Sequence, residues 1–160
     1  MTGRVLMLLT TLAAATSVLS SIGERSVPWY PWNASQSVPI GLYRLRPTGR
    51  PAVTDLVAVR PPEPTATFLA GGNYLPRNAP LLKRVVALPG QTVCRNHLTI
   101  TVEGIAMGVA HERDRRGRPL PVWQGCRVVA DGDVFLMHWQ SADSLDGRCV
   151  GMLTPSANMG

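Results

Sequence analysis

Leu81-Leu82-Lys83-Arg84-Val85-Val86-Ala87-Leu88-Pro89-Gly90 is the stretch on which the reading of this chain turns. Its apolar, β-branched run reads as a buried strand, and Pro89-Gly90 ends it in a turn. A lysine inside such a strand is out of place, because a buried ammonium is costly unless it gives up its proton. Lys83 is also the only lysine among 16 basic side chains, the other fifteen being arginines. Arginine stays protonated at any usable pH, whereas a desolvated lysine can act as a base. Position 83 therefore reads as a chemical residue.

Upstream, Ser35-Gln36-Ser37-Val38-Pro39-Ile40-Gly41-Leu42-Tyr43 supplies a partner for such a base. A serine hydroxyl is a poor nucleophile until its proton is removed. Pro39 and Gly41 fix a bend that can present the Ser37 hydroxyl on one side and free N–H groups on the other. Acyl transfer needs both, because its tetrahedral intermediate carries a negative oxygen. Ser35 is close enough to add a hydroxyl donor. His97, His111 and His138 sit in no Ser/His/Asp-like pattern and are expected to be exposed or to pack. Asn33-Ala34-Ser35 spells a glycosylation sequon, read here as coincidental.

Working outward, strand signals dominate, and the chain reads as a mainly β domain. Asp55 to Val59 is a short strand stopped by Pro61-Pro62. Val93 and residues 98–102 form a further strand region. Val128-Val129 and Val134-Phe135-Leu136-Met137 flank Asp131-Gly132-Asp133, which predicts a hairpin. Residues 61–80 read as a loop with one helical turn near 65–70. Arg113, Arg115, Arg116 and Arg118 form a charge run expected to be a solvated loop, with lipid phosphate or a partner as alternatives.

Residues 5–23 contain no charge, and as a helix they would cover about 28 Å, close to the hydrocarbon thickness of a bilayer. Six of those residues are Thr or Ser. The expected division is a short cytoplasmic stretch at 1–4, a transmembrane anchor or signal segment at 5–23, and an exported domain at 24–160. Trp29, Tyr30 and Trp32 then fall where an interfacial aromatic belt would lie. The net charge of +6 suits anionic headgroups. Nucleic acid is not expected, because no recognition helix accompanies the basic residues. In an oxidising compartment three cysteines predict one disulfide, Cys94–Cys126, worth about 3–4 kcal/mol, with Cys149 left over. Zinc at Cys94 and His97 lacks a second ligand pair, so no metal or cofactor is expected.

In combination these stretches resemble the signal peptidase I superfamily of Ser/Lys endopeptidases, in particular its conjugative-transfer TraF branch. Ser37 to Tyr43 looks like the nucleophile box, and Gly49 to Val59 like the strand after it. Lys83 to Gly90 is similar to the lysine box, and Ser144-Leu145-Asp146-Gly147-Arg148-Cys149-Val150-Gly151 to the last box. The resemblance implies a signal-peptidase-like antiparallel β domain behind one N-terminal transmembrane helix. It implies Ser37 as nucleophile, Lys83 as general base, and Ser35 with the Ser37 N–H as the oxyanion hole. Ser144 would hold the lysine amine, and Asp146 would be structural through Arg148 or Arg84. Cys149-Val150 stands where aromatic residues are usual, which leaves the shape of the substrate pocket open.

The expected function is a single-pass inner-membrane serine endopeptidase with its catalytic domain in the periplasm. It would process an exported precursor, a conjugative pilin subunit, through an acyl-enzyme. Expected partners are that exported peptide, inner-membrane lipid and conjugation-machinery proteins. A general signal peptidase I is the alternative within the class. A non-catalytic envelope subunit docking through its arginine loop is the alternative outside it.

Overall fold

The computed structural model describes residues 2–20, 30–35, 38–46 and 50–154. Ser37, Gly49 and Trp29 lie outside the described residues. In chain order the elements are α1 (Thr2–Ser20), β1 (Trp32–Asn33), β2 (Gly41–Leu42), β3 (Leu56–Val59), α2 (Thr65–Gly71), β4 (Leu81–Ala87), β5 (Thr92–Asn96), β6 (Thr99–Val102), β7 (Ile105–Val109), β8 (Gly125–Val128), β9 (Phe135–Met137) and α3 (Gly147–Val150). β1 and β2 form a small antiparallel pair. The other strands form two antiparallel sheets, ordered β3-β4-β9 and β7-β6-β5-β8. The architecture is mainly β, and the helical turn expected near 65–70 is α2.

Strand β4 is buried along nearly its whole length, as its apolar composition requires of the middle strand of a sheet. Leu81 and Val85 join one apolar cluster with Val57, Val59, Leu69, Leu136 and Leu153. Val86 and Ala87 reach a second, built on Val93, Ile100, Trp123, Phe135 and Met137. Leu82 packs in a third with Ala58 and Val38, so the residue after Ser37 is held against the strand of Lys83. Cys94 and Cys126 are direct register partners on β5 and β8, with their sulfurs bonded at 2.04 Å across 32 residues. Cys149 is free and buried.

Two expectations are corrected. Residues 128–137 do not form a hairpin, because β8 pairs with β5 and β9 with β4. The turn at Asp131-Gly132-Asp133 carries the chain from one sheet to the other. The second correction concerns the transmembrane helix. No helix of the described residues is long and apolar enough to cross a membrane. The 19-residue α1 ends at Ser20, and Thr10, Thr11, Thr16 and Ser17 interrupt its apolar run. Those hydroxyls donate back to the carbonyls of Leu6, Met7, Leu12 and Ala13. Residues 21–23 of the expected span lie outside the described residues.

Gly147 marks a close contact between α3 and β9. A Cβ there would meet the Phe135 ring at 2.6 Å and the Leu136 carbonyl oxygen at 2.7 Å, so only glycine lets α3 lie directly on β9. The Gly147 carbonyl also accepts the Trp123 Nε1–H at 3.0 Å. Gly147→Ala should cost about 1–3 kcal/mol, the usual penalty for overpacking a core. A lower urea midpoint at unchanged m-value is the expected readout, and a wild-type midpoint would contradict the close contact.

Candidate active site

Residues alternate faces along β4, so Lys83 shares a face with Leu81 and Val85 and points into their apolar cluster. It is 3% exposed. Its Nζ donates to Ser144 Oγ at 2.6 Å, and among the described residues it forms no ion pair. Desolvation drives its pKa down from 10.5 to about 8. The Asp146 charge pulls it back up and the Arg148 charge pushes it further down. A hydroxyl partner fixes the amine without stabilising the ammonium as a carboxylate contact would. The site therefore keeps an appreciable neutral fraction near physiological pH.

Ser144 is held from behind. Arg148 donates through Nη2 to the carbonyls of Ser141 and Ser144, at 2.7 and 3.2 Å, which fixes the loop carrying the Ser144 hydroxyl. Asp146 accepts Arg148 Nε at 2.9 Å, and both side chains are almost fully buried. Its other oxygen takes the backbone N–H of His138 at 2.9 Å, tying the loop to the end of β9. Asp146 is also the N-cap of α3, accepting the Arg148 N–H. Of the two arginines expected near Asp146, the structure uses Arg148. Arg84 is a correction, because strand alternation turns it to the opposite face from Lys83. There it donates to the Thr54 carbonyl and lies over the Trp139 ring.

Three residues of this site escaped the sequence reading. Arg95 is fully buried and donates Nη1 to the Arg148 carbonyl at 2.7 Å and Nε to the His97 carbonyl at 3.0 Å. It clamps the far side of the last box. His138 was expected to be exposed or to pack; it is buried beside Lys83, and its pKa is lowered by burial and by the charges of Lys83 and Arg84. Asn33, read from the sequence only as part of a coincidental sequon, ties Ser35 to Val38 and Pro39. Its Nδ2 lies 2.8, 3.0 and 3.1 Å from the carbonyls of Ser35, Val38 and Pro39, and its Oδ1 accepts the Ser35 N–H and Oγ–H. An Asn two residues ahead of a Ser-x-Ser-x-Pro turn was the available signal, since Asx side chains commonly bond the backbone just beyond them.

Ser35 and Lys83 line one cleft of about 320 Å³, together with Ser141, Ser144 and Arg148. Ser37 itself lies outside the described residues, between Ser35 in that cleft and Val38 packed on Leu82. The Ser35 hydroxyl expected in the oxyanion hole donates to Asn33 Oδ1 at 2.8 Å. The arginine run is exposed at Arg113, Arg115 and Arg116, as expected of a solvated loop, and it also borders the same cleft. Cys149 is buried and its thiol pKa is raised by burial, which keeps it protonated and inert. Among the described residues no group of His, Cys, Asp and Glu could hold a metal ion, and Cys94 is committed to its disulfide.

The Lys83 shift has a consequence for stability. Between about pH 8 and its ordinary pKa of 10.5, the unfolded chain holds a proton at Lys83 that the folded chain has lost. Stability therefore rises with pH across that window. The unfolding free energy of wild type minus that of Lys83→Met should climb by up to about 1.4 kcal/mol per pH unit there. A difference independent of pH would place the Lys83 pKa at its ordinary value.

Comparison with known proteins identifies the family. The family model described as signal peptidase, peptidase S26, matches residues 2–160. The chain is 30% identical to a probable conjugal transfer protein TraF of Sinorhizobium fredii (strain NBRC 101917 / NGR234), over 93% of this chain and 85% of the relative. It is 34% identical to a conjugal transfer protein TraF of Agrobacterium tumefaciens (strain 15955), over 96% of this chain and 90% of the relative. A crystal structure of a signal peptidase I from Enterococcus faecalis is 18% identical, with a TM-score of 0.38 over 66% of this chain and 91% of that one. With a family match along almost its whole length, and relatives aligned end to end with it, the chain belongs to the signal peptidase family, peptidase S26.

Proposed function

We propose that this protein is a membrane-associated serine endopeptidase that uses Ser37 and Lys83 to cut an exported precursor, a conjugative pilin subunit, through an acyl-enzyme. The observation that carries the reading is the buried Lys83 amine, held by the Ser144 hydroxyl in a cleft shared with Ser35. Neutral Lys83 takes the Ser37 proton as the hydroxyl attacks the peptide carbonyl. The lysine, now an ammonium, returns that proton to the departing amine as the tetrahedral intermediate collapses. Water or a second amine then attacks the ester. Water yields a cut peptide, and an amine of the same chain yields a ring.

The Ser37 N–H and the Ser35 hydroxyl are the proposed donors to the oxyanion. Ser35 Oγ–H now donates to Asn33, so donation to substrate requires the hydroxyl to turn away from Asn33 Oδ1. Asp146 is paired with Arg148 and serves as a strut for the Ser144 loop rather than as a base.

Association with the membrane is supported by exposed apolar side chains. Val5, Leu6, Met7, Leu8, Leu9 and Leu12 of α1 all face outward, and their neighbouring hydroxyls are already satisfied by backbone carbonyls. Tyr30, Trp32, Ile40 and Leu42 are exposed around the β1–β2 pair that carries the nucleophile segment. These side chains suit the headgroup boundary, where aromatic rings are favoured. The pilin substrate is proposed from the conjugal transfer names of the relatives.

Intact-mass spectrometry of a pilin precursor co-expressed with the enzyme tests the reading. Wild type should process it, while Ser37→Ala and Lys83→Met should each lose at least about a thousandfold in rate. Processing that persists in Ser37→Ala would refute a Ser37 enzyme. With purified protein, kcat/KM should rise with pH along a limb centred near 8, the pKa of Lys83. Rates two units below that midpoint should be about a hundredfold under the plateau. A flat profile with chemistry rate-limiting would exclude Lys83 as the base.

A further inference from the structure

The cleft that holds Lys83 is not electrostatically neutral. Five guanidinium groups line it, those of Arg113, Arg115, Arg116, Arg118 and Arg148, against the two carboxylates of Asp114 and Asp143. Each carboxylate is paired with one of these arginines. Asp114 Oδ1 accepts the backbone N–H groups of Arg116 and Arg118 at 2.8 Å each, while Oδ2 takes Arg118 Nε and the Tyr74 hydroxyl at 2.7 Å each. Asp143 Oδ2 accepts Arg115 Nε at 2.9 Å, and His111 Nε2 comes no nearer than 3.9 Å to Oδ1. Arg148 is committed to Asp146. Two guanidiniums are left over, Arg113 and Arg116, both exposed and in no ion pair among the described residues.

These two charges stand on a braced support. The turn closes through Asp114 N–H to the Arg118 carbonyl and Gly117 N–H to the Asp114 carbonyl, with Gly117 at φ +76°. Arg118 reaches across to the Gly72 carbonyl at 2.8 Å and lies over the Tyr74 ring, pinning the turn to the end of α2. Arg115 fastens it to Asp143, in the loop that also carries Ser144. Arg113 spends one N–H on the Gly117 carbonyl and keeps its charge. These bonds hold the turn, with its two exposed cations, at the wall of the cleft.

We propose that Arg113 and Arg116 form a selectivity surface that takes an acidic side chain of the peptide bound in the cleft. This rests on the peptidase reading for the identity of the occupant. Each guanidinium can accept a carboxylate in a paired, two-bond geometry, which makes arginine the suitable residue for the purpose. A peptide is favoured over lipid phosphate because the two cations line the same cleft as the Lys83 amine. The exposed apolar side chains suited to a bilayer belong to other segments, α1 and the β1–β2 pair.

The test uses the full-length Ser37→Ala protein in detergent micelles, which reads binding without turnover. The probes are a dye-labelled, Ala/Ser-based decapeptide with a central Asp-Glu pair and its Asn-Gln twin. The acidic peptide should bind at least about tenfold more tightly, and the preference should fade as salt is raised. Adding Arg113→Ala and Arg116→Ala should abolish the preference, and Arg116→Glu alone, at a side chain with no bond to lose, should reverse it. Equal binding of the twins, or a preference that survives these substitutions, overturns the proposal. So does an arginine-dependent affinity for phosphatidylglycerol over phosphatidylcholine vesicles with no discrimination between the peptides. Cleavage by the Ser37 enzyme is scored separately. An intact acid preference in a protein that cleaves nothing supports the surface and refutes the peptidase reading.

Discussion

An ammonium group inside an apolar sheet is the constraint around which this molecule is arranged. Lys83 sits between Leu81 and Val85 on the buried face of β4, with β3 and β9 on either side. The side chain is buried, and its amine donates to the Ser144 hydroxyl. Burial of that kind is tolerated because lysine can discharge, which arginine at the same position could not do. The cost to stability at neutral pH is the same physical fact as the basicity useful for catalysis.

The rest of the site keeps that balance from collapsing. A carboxylate lies close enough to raise the lysine pKa, yet Asp146 is bound on its guanidinium side by Arg148 and on the other by the His138 N–H. The Arg148 charge opposes its field at Lys83. Arg148 in turn fixes the Ser144 loop, and Arg95 secures the Arg148 backbone from the opposite sheet. The last box thus joins the two sheets, with Gly147 allowing it to lie flat on Phe135 and Leu136. Ser35, on the segment that Asn33 organises, and the arginine turn line the same cleft as Lys83.

What could be read from the sequence followed from local chemistry. A single lysine in a β-branched run, ended by Pro-Gly, located β4 and its unusual residue before any coordinates. Strand alternation also held the answer to Arg84, since neighbours in a strand face opposite ways, but a shared box obscured it. The hairpin at 128–137 failed for another reason: a turn signal fixes a reversal of the chain and says nothing of which sheets the flanking strands join. Arg95 and Arg148 meet across 53 residues, and the arginine turn reaches Gly72 across 46, distances over which no local pattern speaks. Asn33 was hidden by a competing motif that used the same three letters. The catalytic serine assignment rests on its box, because Ser37 lies outside the described residues.

The presence of only one lysine makes the central claim directly measurable. Full-length protein labelled with ¹⁵N or ¹³Cε lysine and held in detergent micelles should give a single side-chain resonance, free of overlap. Its chemical shift followed against pH reports the protonation of Lys83 alone. A midpoint at about 8 is the predicted result, and a midpoint at the ordinary 10.5 would contradict the account.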